Sequence, residues 1–180
     1  MKSSDTVKNI LLEGRPGSGK TTLVKKLIER LSGHDAGGFY TEEIRESGER
    51  TGFRIRTLDG RDAVLAHVDF SFAERVGKYS VDVRAFEALA VPVLKQAALE
   101  RDLVIIDEIG RMELFSDSFK TAVRACFFSD VPVVATIMSR AHPFADGIKM
   151  RRDVKRMQVT KEEQGFLVVE ILEELGFVGK

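Results

Sequence analysis

The chain has 180 residues, 43% of them hydrophobic, and its 28 basic side chains balance its 28 acidic ones. This length predicts one domain, residues 1–180, with a single sizeable core. The charge balance disfavours a nucleic-acid partner and favours a small molecule. No apolar run reaches the roughly 18 residues of a membrane span. Since Cys126 is the only cysteine and Met1–Thr6 lacks the apolar core of a signal peptide, we expect a soluble cytoplasmic protein.

The first predicted elements are a strand, a glycine-rich loop and a helix. Lys8–Leu12 is a short apolar run of the kind found in buried parallel strands. Gly14–Thr21 matches the P-loop (Walker A) pattern G-x-x-x-x-G-K-[ST] without a mismatch. Leucines then recur every fourth residue from Leu23 to Leu31, which predicts a helix. The pattern therefore lies in the structural context that phosphate binding requires.

The residue types of this loop suit a nucleoside triphosphate. Glycines at 14, 17 and 19 let backbone N–H groups surround phosphate oxygens closely. Lys20 is expected to place its ammonium on the β- and γ-phosphates, and the Thr21 hydroxyl to ligate Mg²⁺. The helix that follows adds the favourable end of its dipole. We expect this loop to bind triphosphate.

The next segment is predicted to form a hairpin. Gly37–Arg45 and Thr51–Leu58 flank a polar connection that contains Gly48. Polar and apolar residues alternate in the second run, which is typical of an antiparallel strand with one wet face. A turn at Leu58–Arg61 and a further strand at Ala63–Ala66 follow.

The second half of the chain alternates helices with buried strands. Apolar residues at helical spacing predict a helix over 83–99, which Pro92 should kink or begin, and another at 115–127. Leu103–Ile106 is a β-branched run typical of a central parallel strand. The remaining predicted elements are strands at Val131–Ile137 and Val154–Val159 and a helix lined by Val168 to Leu175. The order predicts a three-layer α/β fold with a mostly parallel sheet and a hairpin insertion.

Two carboxylates end the central strand. Asp107 and Glu108 follow Leu103–Ile106 directly, at the edge of the sheet where ligands of parallel α/β proteins bind. Asp107 is expected to hold Mg²⁺ together with Thr21, as a Walker B aspartate does. Glu108 is the expected base or water-positioning group. The pair therefore completes a candidate site for phosphate hydrolysis.

At this point the chain resembles a small P-loop nucleoside-triphosphatase family known from thermophiles and from a human cancer-related NTPase. The resemblance covers nearly the whole chain and rests on the P-loop, Gly38–Glu43, Gly52-Phe53, Val76–Tyr79, Phe86–Leu94 and Asp107–Phe115. It implies a RecA-like fold and slow, Mg²⁺-dependent hydrolysis of ATP, GTP, CTP, UTP and TTP, with diphosphates as poorer substrates. It indicates no oligomeric state.

The resemblance also assigns individual residues. Arg111 stands where the family usually has lysine, and it is predicted to stabilise charge on the γ-phosphate or to be a surface charge. Glu113 is expected to support the site or to begin a helix. The predicted nucleotide-binding residues are Gly14, Arg15, Pro16, Gly17, Ser18, Gly19, Lys20, Thr21, Thr22, Asp107, Glu108 and Gly110. The predicted catalytic residues are Lys20, Glu108 and Arg111, and the predicted metal ligands are Thr21 and Asp107.

One family position differs in this chain. Where the family tends to have Thr-x-Glu-Asn-Arg, the sequence reads Thr160–Gln164. If the family's Asn-Arg pair lies against the base, base recognition must differ here.

Two other function classes remain open. The P-loop also resembles that of adenylate-kinase-type enzymes, and a kinase would transfer the γ-phosphoryl group while excluding water. Asp107–Gly110 matches the D-x-x-G pattern of GTP-dependent switch proteins. The guanine-reading N-K-x-D motif cannot occur, however, because Asn9 is the only asparagine.

Two further groups have alternative interpretations. The basic residues Lys149, Arg151, Arg152, Lys155 and Arg156 are expected to form a solvated face, or else a lid over the phosphates. Phe39, Tyr40 and Phe53 are expected to pack in the core or hairpin rather than to stack on a base.

Overall fold

A computed structural model describes residues 7–31 and 33–177. Its strands are β1 (Asn9–Glu13), β2 (Ala36–Glu46), β3 (Glu49–Thr57), β4 (Asp62–His67), β5 (Arg75–Val76), β6 (Tyr79–Val81), β7 (Leu103–Ile109), β8 (Val133–Ile137) and β9 (Val154–Gln158). Its helices are α1 (Lys20–Arg30), α2 (Val83–Glu100), α3 (Asp117–Phe128), α4 (Pro143–Lys149) and α5 (Gln164–Glu174), with a 3₁₀ helix at Glu113–Phe115. Met1–Thr6, judged above for a signal peptide, lies outside the described residues.

All nine strands form one mixed sheet in the order β5-β6-β4-β3-β2-β7-β8-β1-β9. The five strands from β2 to β9 in this order are parallel. The other four extend the sheet in antiparallel fashion. The α/β fold with a parallel sheet and a hairpin insertion is confirmed, and the insertion is larger than predicted. Strands β5 and β6 escaped prediction because two or three residues show no periodicity.

Helices cover both faces of the sheet, as the predicted three layers require. On one face α2, α3 and α4 bury residues such as Phe86, Phe119 and Phe144. On the other face α1 and α5 bury residues such as Leu27 and Ile171. Strand β7 sends alternate residues into the two cores, which explains why its sequence is apolar throughout.

Helix α2 confirms the predicted span, whereas α3 begins later than expected and α4 is an additional helix. Helix α2 begins after Asp82, whose side chain accepts a hydrogen bond from the Ala85 N–H at 2.9 Å, so Pro92 lies inside the helix and does not begin it. Helix α3 begins after a Ser116 cap, which leaves Phe115 in the 3₁₀ helix. Helix α4 was not predicted, because seven residues with a glycine among them carry little helical signal.

Strand β2 and its partner β3 extend beyond the carboxyl ends of the other parallel strands. Strand β2 pairs with β7 only over Ala36–Phe39 and then continues, paired with β3, to Glu46. The P-loop follows β1 at the same edge, and Asp107 and Glu108 lie near the end of β7. Within the described ranges, no helix combines the length and apolarity needed to cross a membrane.

Candidate active site

A cleft of about 1430 Å³ runs along the carboxyl edge of the sheet. We call one part the phosphate end, lined by Gly14, Gly19, Lys20, Thr21 and Thr22. We call the other part the hairpin end, lined by Arg50, Phe53, Leu65, Val76 and Met112. Strand β7 lies between β1 and the β2–β4 strands, so Asp107 and Glu108 line the cleft between its two ends.

The loop at the phosphate end has the backbone of an anion cradle. Gly17 has a φ of 80° and Gly19 a φ of 91°, in the left-handed region that favours glycine. A Cβ on Gly14 would collide with the Ser18 side chain, and one on Gly19 with the Gln164 amide. Helix α1 begins at the next residue, Lys20, so its first N–H groups point toward the loop. The sequence pattern therefore has the geometry that phosphate binding requires.

Two polar side chains of the loop have different contacts. Lys20 Nζ donates to the Gly14 carbonyl at 2.9 Å, which holds the ammonium over the loop. The Ser18 hydroxyl is buried and has no hydrogen-bond partner among the described residues. The Ser18 hydroxyl lies against Gly14 and does not line the cleft, so Lys20 is the polar side chain that the loop presents to a ligand.

Asp107 joins four elements of the site through hydrogen bonds. The carboxylate is 1% exposed. Its Oδ2 accepts from Thr21 Oγ1 at 2.8 Å and from the Thr41 N–H and hydroxyl at 3.2 Å each. Its Oδ1 accepts from Thr136 Oγ1 at 2.7 Å. These contacts hold the P-loop helix, β2 and β8 against the end of β7.

The donor set fits Mg²⁺. Within residues 7–31 and 33–177, no group of three or more His, Cys, Asp or Glu side chains could hold a metal ion. The Thr21 hydroxyl and the Asp107 carboxylate are nevertheless adjacent hard oxygen donors. Mg²⁺ commonly binds one or two carboxylates and completes its shell with water and substrate phosphates. Thr21 and Asp107 can therefore serve as its protein ligands.

Glu108 and Glu113 place two carboxyl groups together beside Asp107. Burial raises the pKa of Glu108, and the Lys20 charge opposes this rise. Glu113 is 5% exposed, and burial, followed by the charge of Glu108, raises its pKa to about 8. A Cβ on Gly110 would lie 2.8 Å from Glu113 Oε2 and 3.3 Å from Glu108 Cδ, so both groups converge there. Glu113 is thus the first residue of the 3₁₀ helix, as one of its two predicted interpretations has it, and it is buried beside Glu108.

The other predicted site residues divide into two groups. Pro16, Gly17, Thr22, Gly110 and Arg111 line the cleft. Arg111 is exposed, and no ion pair to it occurs among the described residues. Arg15 and Ser18 belong to the loop but do not line the cleft as it stands.

The basic cluster is a surface feature. Lys149 pairs with Asp146, Arg151 with Asp153, Lys155 with Glu170 and Glu174, and Arg156 with Glu13. None of the five cluster residues, all of them described, lines the cleft. The solvated-face interpretation is therefore supported, and the lid is not.

Gln164 occupies the position at which the chain departs from the family pattern. Its Nε2 donates to the Gly19 carbonyl at 3.2 Å, and its Oε1 accepts from Lys26 Nζ at 3.0 Å. Both ends of the amide thus bind the P-loop and α1. Gln164 braces the loop and is not free to read a base.

The three aromatic residues have different surroundings. Phe39 is fully buried between Phe86 and Phe119, as the packing interpretation predicts. Tyr40 lies under Lys25 Nζ, at 5.0 Å from the ring centroid. Phe53 lines the hairpin end of the cleft and packs edge-on against Tyr79.

Sequence reasoning missed the threonines that hold Asp107, and a serine. Thr41 and Thr136 both donate to Asp107, while Ser139 Oγ donates to the Gly14 carbonyl at 3.3 Å. Thr136 is the only polar residue of β8, and this could have marked it as a candidate site residue. A hydroxyl in a wholly buried strand beside the Asp107 strand needs a partner.

Comparison with known proteins identifies relatives over nearly the full chain. A family model described as NTPase matches residues 9–172. Nucleoside-triphosphatase THEP1 of Thermotoga sp. is 49% identical over 168 residues, which cover 93% of this chain and 95% of that protein. The cancer-related nucleoside-triphosphatase homolog of Bos taurus is 41% identical over 180 residues, which cover 92% of this chain and 95% of that protein.

Solved structures show the same fold. The crystal structure of THEP1 from Aquifex aeolicus superposes with a TM-score of 0.84 at 42% identity, covering 93% of this chain and 98% of that one. The solution structure of a human cancer-related nucleoside triphosphatase gives a TM-score of 0.81 at 39% identity. The match covers 97% of this chain and 100% of that one.

Proposed function

The chain belongs to the NTPase family, and from this membership we propose that it is a nucleoside-triphosphate hydrolase. We propose further that it depends on Mg²⁺, accepts ATP, GTP, CTP, UTP and TTP, and turns over slowly. The products are a nucleoside diphosphate and inorganic phosphate.

The hydrogen bond from Thr21 to Asp107 carries the proposal. At 2.8 Å it joins the loop suited to the phosphates with the strand that bears the carboxylates. Metal-dependent phosphoryl transfer in P-loop proteins uses one hydroxyl and one aspartate in this way. Neither half of the site would support hydrolysis alone.

The mechanism follows from the positions of the side chains. The loop N–H groups and Lys20 bind the triphosphate and neutralise charge on its β- and γ-phosphates. Glu108 orients a water molecule for in-line attack on the γ-phosphorus and accepts its proton. Burial raises the pKa of Glu108, which makes the carboxylate a stronger base than a solvated one. Mg²⁺, held by Thr21 and Asp107, supplies further neutralisation of phosphate charge when bound.

Broad base specificity, which the family resemblance implies, is supported by the side chains near the P-loop. Gln164 uses its amide to brace the P-loop, and Thr22 and Lys161 beside it are exposed. A site selects one base strongly when a wrong base would leave buried polar groups of the protein without hydrogen-bond partners. Exposed, mobile side chains can bond to water instead, so they discriminate poorly between bases. Base preferences should therefore be small.

Slow turnover follows from the state of the arginines. Arg111 and Arg140 line the cleft with exposed side chains, so neither is fixed toward the γ-phosphate. A positioned arginine contributes about 10³- to 10⁵-fold in related reactions. Diphosphates should be poorer substrates, since they lack the γ-phosphate that Lys20 and Glu108 are placed to serve.

Inorganic phosphate release tests the proposal. The full chain with Mg²⁺ should release phosphate from each of the five triphosphates without any acceptor, within about tenfold of one another. A preference for GTP of a hundredfold or more would instead indicate a GTP-dependent switch. An absence of release from every triphosphate would contradict hydrolysis.

A further inference from the structure

The cleft is larger than one nucleotide needs. Its volume of about 1430 Å³ exceeds the roughly 300–1,000 Å³ of pockets that hold one small ligand. The hairpin end adds lining residues that belong neither to the P-loop nor to the Asp107 cluster. The hairpin end of the cleft therefore has room for a second ligand.

The orientation of the triphosphate leaves the hairpin end beyond the γ-phosphate. A P-loop cradles the α- and β-phosphates, and its lysine reaches the β- and γ-phosphates. Here the residue after Lys20, Thr21, bonds Asp107 at 2.8 Å, and Glu108 lines the cleft beside it, so the γ-phosphate lies toward β7. The base then lies toward Lys161, which lines the cleft beside Gly19 of the P-loop. The bound nucleotide thus leaves the hairpin end free.

The hairpin end combines apolar walls with a fixed cation. Phe53, Leu65, Val76 and Met112 supply apolar surface that phosphate groups do not need. The Arg50 Cζ atom lies 5.0 Å from the Phe53 ring centroid, and hydrogen bonds fix its side chain. Its Nε donates to the Tyr79 hydroxyl at 2.9 Å and its Nη1 to Glu43 Oε1 at 2.8 Å.

The Nη2 nitrogen of Arg50 remains available to a ligand. Within the described part of the chain, Nη2 makes no hydrogen bond that would occupy it. A guanidinium plane beside an aromatic ring is a common platform for a nucleobase, and its free N–H can reach a base carbonyl. The chemistry of the hairpin end is therefore that of a nucleoside site.

The spacing along β2 matches such a ligand. Thr41 touches Asp107, while Glu43, two residues on, binds Arg50. Alternate residues of a strand share a face and lie about 7 Å apart. Phe53 pairs with Glu43 across the strands and therefore lies on the same face. A nucleoside seated on Arg50 and Phe53 would direct its ribose or phosphate toward the γ-phosphate.

We propose that the hairpin end is an acceptor site for a nucleoside or nucleoside monophosphate, and that the protein transfers the γ-phosphoryl group to it. An acceptor oxygen attacks the γ-phosphorus and forms a new P–O bond. The bond to the β-phosphate oxygen breaks, and the nucleoside diphosphate leaves with its electron pair. A hydroxyl acceptor gives its proton to Glu108, as water does in hydrolysis. This inference rests on the proposed function, because it uses the same γ-phosphate and Glu108.

Transfer of radioactive label from [γ-³²P]ATP tests the proposal. The full chain, with Mg²⁺, is incubated with each of the four common ribonucleosides and their 5′-monophosphates, and labelled nucleotides are separated from labelled phosphate. The variants are Arg50→Gln and, as a matched control, Arg45→Gln. Arg45 also pairs with Glu43, at 2.6 Å, but does not line the cleft.

We expect labelled product from at least one acceptor. Arg50→Gln should reduce this transfer roughly tenfold to a hundredfold and leave phosphate release within about twofold, which also reports that the variant folds. Arg45→Gln should change neither. The nucleoside and monophosphate arms show which acceptor is used.

Other outcomes separate the two proposals. Phosphate release without labelled product from any acceptor would overturn the acceptor site and leave the hydrolase standing. Transfer without release in the absence of acceptor would support the acceptor site and overturn the hydrolase. Equal loss of transfer in both variants, or equal loss of transfer and release in Arg50→Gln, would overturn the assignment of Arg50.

Discussion

The two ends of the cleft are built by different means. The phosphate end comes mainly from one continuous segment and presents backbone N–H groups and a lysine that folds back on its own loop at 2.9 Å. The hairpin end is assembled from side chains of β3, β4 and β5 and the residue that precedes the 3₁₀ helix. The first end presents mainly backbone N–H groups, whereas the second presents apolar side chains and the Arg50 guanidinium. Substitutions at the two ends should therefore fail in different ways.

The largest effect should come from Lys20→Ala at the phosphate end. Loss of the ammonium removes charge neutralisation at the β- and γ-phosphates, so kcat/KM for ATP should fall on the order of 10³-fold, with weaker triphosphate binding. Phosphate release and isothermal titration calorimetry measure the two effects. Arg30→Ala, at the exposed far end of the same helix, should cost less than about threefold. Similar losses of kcat/KM in both variants would show that Lys20 does not act specifically on the β- and γ-phosphates.

Glu108 lies between the two ends of the cleft, and Glu108→Gln should slow the chemical step without weakening triphosphate binding. The amide cannot accept a proton from water, so kcat should fall about 10²- to 10⁴-fold. Triphosphate affinity should stay close to that of the wild type, because the phosphates bind the loop and Lys20. Calorimetry with a non-hydrolysable triphosphate checks the affinity. A loss of affinity as large as the loss of kcat would refute a purely chemical role.

Thr136→Val tests how firmly the parallel strands support Asp107. The variant loses the 2.7 Å hydrogen bond to a buried carboxylate, so the free energy of unfolding should fall by about 1.5–3 kcal/mol. The same exchange at Thr51 in the hairpin removes only a 3.4 Å bond to a carbonyl, and should cost about 1 kcal/mol or less. Urea denaturation compares them. Equal costs would mean that Asp107 is not supported by Thr136.

Glu113→Gln should change the pH dependence of stability. The pKa of Glu113 is about 8 in the folded protein against an ordinary value of 4.5, so folding takes up a proton between these values. The stability of the wild type relative to the variant should therefore fall as pH rises through this window. The slope is at most about 1.4 kcal/mol per pH unit. Urea titrations from pH 5 to 8 measure it, and parallel curves would place the Glu113 pKa outside the window.

The phosphate end was predictable because its information is local. Eight consecutive residues specify the loop, and the strand before it and the helix after it are visible in the pattern. Asp107 and Glu108 could be placed because a buried strand must end at the ligand-binding edge. The hydroxyls that hold Asp107 could not, since Thr41 and Thr136 reach it only through the order of strands in the sheet.

The hairpin end escaped prediction for a related reason. Its strands β5 and β6 are too short to show a period, and Phe53 alone looks like a packing residue. Only the paired register of β2 with β3 brings Glu43, Phe53 and Arg50 together. The burial of Glu113 likewise depends on how the 3₁₀ helix folds back over Gly110, which no sequence period encodes.

Hydrolysis in ¹⁸O-labelled water tests the central claim most directly, namely that water attacks the γ-phosphorus beside Glu108. A single turnover of ATP with Mg²⁺, followed by mass spectrometry of the products, shows where the labelled oxygen goes. We predict one ¹⁸O atom in each inorganic phosphate and none in ADP. Label in ADP, or release of pyrophosphate, would contradict attack at the γ-phosphorus.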